Sequence, residues 1–184
     1  MSTKTNPTHA EPHHTLDVAA IRAAARKHVE EGAVSSGYQG NREEIIAMLN
    51  EALATEWVCV LRYMRHYFTA TGLNNEAIKA EFLEHAEQER GHANRIAERI
   101  VQLNGEPNLN PATLTDYSHA EYDDSDNIQD MIRANLIAER IAVESYRQMI
   151  ERIGDSDPTT TQMLIEIMAT EEEHADEMSD LLDY

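Results

Sequence analysis

Apolar residues recur along most of this chain at alternating steps of three and four. That is the period of an amphipathic helix, not the two-residue alternation of a strand. Start and stop signals divide the pattern. A short helix is predicted from about Asp17 to Glu31, ended by Gly32, and the stretch on to Asn41, with Gly37 and Gly40, reads as a connection. Four long helices follow. The first runs from about Arg42 to Thr71 and stops at Gly72; the second runs from about Asn75 to Asn104, with Gly105 and Pro107 past its end. The third runs from about Asn127 to Ile153 and closes at Gly154. Asp157-Pro158, an N-cap followed by proline at the first helical position, opens the fourth, which continues almost to the C-terminus.

These elements predict an all-α protein. Residues 1–40 form a polar tail and a short helix, and residues 41–184 form a four-helix bundle. The connections within the bundle are short, long, short, so two antiparallel hairpins are joined by one crossover. The crossover, Gly105 to Asp126, is long for a compact domain. It carries Asp123, Asp124 and Asp126, either a solvated loop or a funnel for cations. The tail holds His9, His13 and His14 beside Pro7 and Pro12 and reads as a terminus without regular structure.

Tracing the seam of each long helix brings the chemistry into view. The seams read Leu49, Leu53, Glu56, Val60, Tyr63, Tyr67; then Phe82, His85, Glu89, His92, Ile96, Leu103, with a skipped step at Arg99. The third and fourth read Ile128, Ile132, Asn135, Glu139, Ala142, Tyr146, Met149, Ile153 and Leu164, Ile167, Glu171, His174, Met178, Leu181. Each is mostly apolar, and each carries a glutamate near the middle of its helix. Midpoints lie at similar height in an antiparallel bundle, so four glutamates and two histidines converge on one small volume. Glu89 with His92 and Glu171 with His174 are three apart and share a helix face.

Burying four carboxylates uncompensated costs several kcal/mol apiece or forces protonation. Two divalent cations resolve that conflict. Oxygen and imidazole nitrogen donors suit iron or manganese and give no support to copper(I) or a cluster.

Composition narrows the reading further. Few glycines, prolines and aromatics agree with helices, and the formal charge of −19 disfavours a nucleic-acid surface while suiting attraction of cations. Cys59 is the single cysteine, which excludes an internal disulfide and a four-cysteine metal site, and it reads as a small buried hydrophobe. No apolar run approaches the roughly 20 residues of a membrane span, and the N-terminus lacks a signal-peptide core, so a cytoplasmic protein is expected.

The order Glu, Glu-x-x-His, Glu, Glu-x-x-His resembles that of the ferritin-like di-iron carboxylate proteins. Among them the chain is most similar to bacterioferritin over about residues 42–180. Leu49-Asn50-Glu51-Ala52-Leu53-Ala54-Thr55-Glu56 resembles the start of that family's first helix, and Tyr63 and His66 fall where the family has Tyr and His. The resemblance implies a ferritin-like four-helix bundle holding a di-iron centre. Glu89 and Glu171 would be bridging ligands, Glu56 and Glu139 terminal carboxylates, and His92 and His174 terminal imidazoles. Tyr63 would be a redox or hydrogen-bonding neighbour, with His85 a further candidate beside the site.

The implied activity is a ferroxidase, an iron-storage or peroxide-detoxifying shell that oxidises Fe²⁺ with O₂ or H₂O₂. Three departures bear on it. The family's haem-ligating methionine stands here as Arg90, so no haem is expected. Its inner-surface iron site stands as Glu84 and Gln88. Ten residues follow His174, too few for the fifth helix of 24-subunit bacterioferritins.

The chain is in this respect similar to Dps-like proteins that carry a bacterioferritin-type centre, which implies a homo-oligomer, a twelve-subunit shell more readily than one of twenty-four. Many of those proteins have a cysteine pair near the site, and this chain has Cys59 alone. Two alternatives remain open: a di-manganese, catalase-like oxidoreductase on the same ligands, and a DNA-coating protective protein. The latter has only Lys4, Arg22, Arg26 and Lys27 as basic support.

Overall fold

The computed structural model describes residues 16–72 and 75–182, and among them all regular structure is helical. His9, His13, His14 and Lys4 lie outside the described residues. The chain divides between Gly37 and Tyr38 into two compact units. In the first, helix α1 spans Val18–Ala24 and is capped by Asp17, whose carboxylate accepts the Ala20 N–H at 2.9 Å. The sequence predicts this helix to continue to Glu31. Instead it stops at Ala24, and a 3₁₀ turn at Val29–Glu31 follows His28, whose backbone is left-handed at φ 51°. No residue of α1 is buried, so propensity acts alone, and without tertiary packing a helix of this length is marginal.

The second unit holds the bundle. Helix α2, Arg42–Thr69, starts at Asn41, whose side chain accepts the Glu44 N–H and donates back to the Glu44 carboxylate at 3.2 Å. Helix α3 spans Glu76–Gln102 and packs with α2 as one hairpin. A long connection containing the single-turn helix α4, Leu114–Tyr117, leads to α5, Ile128–Ile153, capped by Asn127. Helix α6, Pro158–Leu182, packs with α5 as the second hairpin. The end of α3 differs in detail from the glycine stop expected there. Asn104 takes the left-handed turn at φ 63°, while Gly105 lies against Ile46, where a Cβ would fall 2.9 Å from its side-chain carbons. Gly105 is therefore a site of close approach, and Asn104 supplies the turn.

The crossover is laced to α2 along its length. The Asn108 N–H donates to Asn50 Oδ1 at 2.7 Å and the His119 N–H to Thr55 Oγ1 at 2.9 Å. Further along, Arg62 donates to the Glu121 carbonyl at 3.2 Å and Arg65 to the Ser125 carbonyl at 2.8 Å. Each bond satisfies a polar group that the fold holds near the bundle surface. Asp123 accepts the Ser125 N–H at 3.0 Å and lies 3.4 Å from His66 Nε2, so this member of the acidic trio is engaged in shaping the turn.

Two apolar layers close the core around the four mid-helix glutamates. Tyr63, Phe82, Ala86, Met131, Ile132 and Met178 pack into one cluster towards one end of the bundle. Leu49, Leu53, Ile96, Ile100, Leu164 and Ile167 are buried towards the other. Burial of this apolar surface is the main stabilising term and leaves the polar residues between the layers with little access to water.

Candidate metal centre

Glu56 on α2, Glu89 and His92 on α3, Glu139 on α5, and Glu171 and His174 on α6 are all buried. Their ligating atoms fall into two overlapping sets. Glu56, Glu89, His92 and Glu171 form one; Glu89, Glu139, Glu171 and His174 form the other. Within each set the atoms lie within 4.8 Å of one another. Glu89 and Glu171 belong to both. The geometry therefore assembles two adjacent four-donor sites that share two carboxylates.

The outward-facing atoms of these residues are tied down and the inward-facing ones are not. Tyr146 donates its hydroxyl to Glu56 Oε1, and Tyr63 donates to Glu139 Oε1 at 2.5 Å. His174 Nε2–H donates to Gln88 Oε1, which turns Nδ1 to the centre. His92 Nδ1 lies 2.8 Å from Glu171 Oε1, 3.2 Å from Glu89 Oε2 and 3.4 Å from Glu56 Oε2. Glu56 Oε2, Glu89 Oε1, Glu139 Oε2, Glu171 Oε1 and His174 Nδ1 face the same volume without a well-directed hydrogen bond. Four carboxylate oxygens and one imidazole nitrogen so placed form an expensive arrangement in a protein interior, and divalent cations satisfy all of them at once. The residues fit a pair of such ions.

Charge in this volume is strongly coupled. Burial, and next the neighbouring Glu139, pushes the Glu89 carboxyl well above its ordinary range; burial and Glu89 push Glu171 up to about 7. Glu139 moves the other way, to about 2. Burial opposes that shift, but hydrogen bonding from His174 and Glu171 and the charge of Arg62 outweigh it. Burial disfavours protonated His92, yet its three carboxylate neighbours raise it to about 12. In the absence of cations the imidazoles thus serve as the positive charges of the site, a role that metal ions would take over.

Tyr63 touches the site through Glu139, and its hydroxyl also accepts the Nδ1–H of His85 at 3.0 Å. His85 stacks on His174 with ring centroids 4.0 Å apart. Burial and then the His174 charge push it down to about 4, so it is neutral at physiological pH. Sequence reasoning missed three supporting residues. Tyr146 stands in the α5 seam as an ordinary core residue, and Gln88 stands out only as a departure from a family motif. Arg62 lies one position off the seam. It is fully buried, donates Nε–H to Asn135 Oδ1 at 2.9 Å, and places a fixed positive charge near Glu139. Asn135, the amide one turn before Glu139 in the α5 seam, is the signal in the sequence that a buried polar partner exists.

Two helical hairpins joined by a crossover, with single glutamates on two helices and Glu-x-x-His on the other two, define the ferritin-like class of carboxylate-rich bundles. The model of the ferritin-like domain family matches residues 46–184, and the chain belongs to that family. It is 30% identical over 144 residues to the DNA protection during starvation protein of Pyrococcus furiosus, covering 76% of this chain and 77% of that protein. It is 27% identical over 143 residues to bacterioferritin of Brucella melitensis, covering 76% and 83% respectively. Among solved structures it is similar to the bacterioferritin-related protein of Bacteroides fragilis, described as a dodecameric thioferritin. That match has a TM-score of 0.76 at 31% identity and covers 79% of this chain and 88% of the other. Among the described residues no helix is long and apolar enough to cross a membrane.

Proposed function

We propose that the chain is a ferroxidase subunit of an iron-storing or peroxide-consuming shell. The observation that carries this reading is the pair of four-donor sets sharing Glu89 and Glu171, with carboxylate oxygens turned into the space between them. Glu89 and Glu171 would bridge two ferrous ions; Glu56 with His92, and Glu139 with His174, would complete the two ends. Ions held there supply two electrons to O₂ or H₂O₂ in a single encounter. The protein's own residues do the rest. Tyr146, Tyr63 and Gln88 fix the orientation of Glu56, Glu139 and His174 before any ion arrives. The closely packed apolar layers above and below keep bulk water out.

The 31% identity with a dodecameric relative and the exposed Leu61, Phe68, Val101, Ile137 and Ile165 support assembly of copies into a shell, twelve being the expected number. The donor set accepts manganese as well as iron, and metal analysis after native purification decides between them. The net charge of −19 runs against the coating of DNA.

The test is anaerobic addition of two Fe²⁺ per chain followed by rapid mixing with O₂ or H₂O₂. Oxidation within the dead time of manual mixing, at saturation near two ions per chain, is expected. Replacing Glu171 with Ala should abolish the fast phase while the helical signal persists. A wild-type rate no faster than that of free Fe²⁺, or an unaffected Glu171→Ala chain, would overturn the assignment.

A further inference from the structure

A further group of metal-ligating side chains adjoins the shared-carboxylate centre through His85, which also groups with Glu139 and His174, donor atoms within 4.8 Å of one another. Glu81 and His85 stand one turn apart on α3, and Glu177 faces them from α6; their donor atoms lie within 4.8 Å of one another. His85 is buried, while the Glu177 side chain is 42% exposed. The three thus run from the surface of the α3–α6 seam to the edge of the core.

The contacts around His85 turn its Nε2 towards the two glutamates. Tyr63 has one hydroxyl proton and spends it on Glu139 Oε1 at 2.5 Å, so towards His85 it can only accept. His85 Nδ1, 3.0 Å away, must therefore carry the ring proton. In the neutral imidazole that leaves a lone pair on Nε2, and Nε2 lies 2.8 Å from Glu177 Oε2, itself an acceptor. Two acceptors at this separation repel unless something positive lies between or beside them. A proton between His85 and Glu177 would engage those two alone, whereas a cation bound by Nε2 and the two carboxylates engages all three side chains. It also offsets the like charges there, since burial and the charge of Glu177 push the Glu81 carboxyl up.

We propose that Glu81, His85 and Glu177 form a third divalent-cation site, selective for first-row metals through its imidazole nitrogen. Donors about 2.0–2.2 Å from a common ion lie at most roughly 4.4 Å apart, so small rotations of the partly exposed glutamates close the set. Its position is functional as well as chemical. From the site an unbroken line of contacts runs from His85 through Tyr63 to Glu139. A cation there is poised at the surface on the direct line to the central pair. The site extends the metal-centre reading of the core but uses none of its six ligands.

The test is titration with Co²⁺ as a redox-stable probe, followed by anomalous diffraction at the cobalt edge of crystals grown from the loaded protein. Three ions per chain are expected, with one anomalous peak among Glu81, His85 and Glu177 within bonding distance of Nε2. The double variant Glu81→Gln, Glu177→Gln should bind one ion fewer and lose only that peak. A second double variant, Glu89→Gln and Glu171→Gln, should lose the central peaks and keep the outer one. The proposal is overturned if the outer peak is absent while the central ones are present, or if the Glu81→Gln, Glu177→Gln chain binds as many ions as the unsubstituted chain. Loss of central occupancy in the unsubstituted chain, with the outer peak present, would overturn the central reading alone.

Discussion

Arg99 Nη2 donates to both carboxylate oxygens of Asp157, at 2.8 and 2.9 Å, and joins the last turn of α3 to the first residue before α6. The same carboxylate accepts the Thr160 N–H at 3.0 Å as the N-cap of α6 and the Tyr38 hydroxyl at 2.8 Å. Arg99 Nε donates to Thr160 Oγ1 at 2.8 Å. One buried carboxylate thus pairs the two hairpins, caps a helix and fixes the first residue of the bundle unit. Gly40 belongs to the same arrangement, since a Cβ there would collide with the Tyr38 ring and with Ile45. Replacing Asp157 with Ala removes the cap and leaves the Arg99 charge buried without its partner. A loss of about 3–5 kcal/mol is expected, measured as a drop in the denaturation midpoint at fixed chain concentration.

The same carboxylate makes stability depend on acid. Burial would raise its pKa, but hydrogen bonds from Thr160, Arg99 and Tyr38 hold it below the usual 3.8. A carboxyl whose folded pKa is depressed contributes fully above its unfolded pKa and loses that contribution as pH falls through the folded value. The contribution of Asp157 should therefore be intact at pH 5 and fade below about pH 4. Thermal midpoints of the native and Asp157→Asn chains should be far apart at pH 5 and draw together below pH 4. A constant separation down to pH 3 would remove Asp157 from the acid response.

The central carboxylates are expected to act with opposite sign in the presence and absence of metal. Without ions, burial and the charges of Glu139 and Glu56 penalise the ionised Glu89 carboxylate, and a neutral isostere relieves that penalty. The Glu89→Gln chain should melt higher than the native chain after chelation. With Co²⁺ or Mn²⁺ present the order should invert, because stabilisation by ligand binding grows with affinity and this variant loses a shared ligand. Calorimetric scans with and without metal check both halves. A variant less stable than the native chain under both conditions would argue for a purely structural carboxylate.

Tyr63 is a positioning residue for Glu139 and the junction to His85. Tyr63→Phe keeps the ring and its contact with Phe82, whose centroid lies 6.0 Å away, and removes only the hydroxyl. One charge-assisted hydrogen bond is worth roughly 1.5 kcal/mol, so ferrous oxidation should slow by about tenfold. Binding stoichiometry at the centre should be unchanged. Stopped-flow oxidation alongside metal titration separates this outcome from a loss of binding, in which both would fall.

Much of this architecture was legible because the helical period and the chemistry coincide. A glutamate interrupting each apolar seam at mid-helix can be found by counting, and Asp157-Pro158 announced the start of α6 by its cap and proline. The rest depended on partners far apart in sequence. Arg99 breaks the α3 seam for no local reason; its reason is Asp157, 58 positions away. Tyr146 reads as core until its hydroxyl is seen to meet Glu56, 90 positions away. Propensity favours helix through the alanine- and arginine-rich stretch, yet α1 buries no face and ends at Ala24, whose carbonyl accepts the Ser36 hydroxyl. Periodicity reports which face is buried and says little about what the polar residues on that face will find there.

Arg62 provides the sharpest test of the support around the centre. Its guanidinium is fully buried one helix position from Tyr63, bonded to Asn135 Oδ1, to the Glu121 carbonyl and to Cys59 Sγ at 3.4 Å. Two effects should follow from Arg62→Met. Asn135 Oδ1 keeps only His66 Nδ1, 3.2 Å away, and the Glu121 carbonyl loses the Arg62 donor, a cost on the order of 2–3 kcal/mol. Glu139 loses a fixed positive neighbour, so its carboxyl rises towards the ordinary range and protons compete better with metal for it. Metal affinity should then fall more at pH 5 than at pH 8, whereas a merely packing role would lower it equally at both. Removing Asn135 as well, as Leu, takes away that acceptor along with its donor. The double variant should be more stable than the sum of the two single losses by about 1 kcal/mol. Additive losses in that cycle would show that Arg62 and Asn135 act independently and that the charge reaches Glu139 by another route.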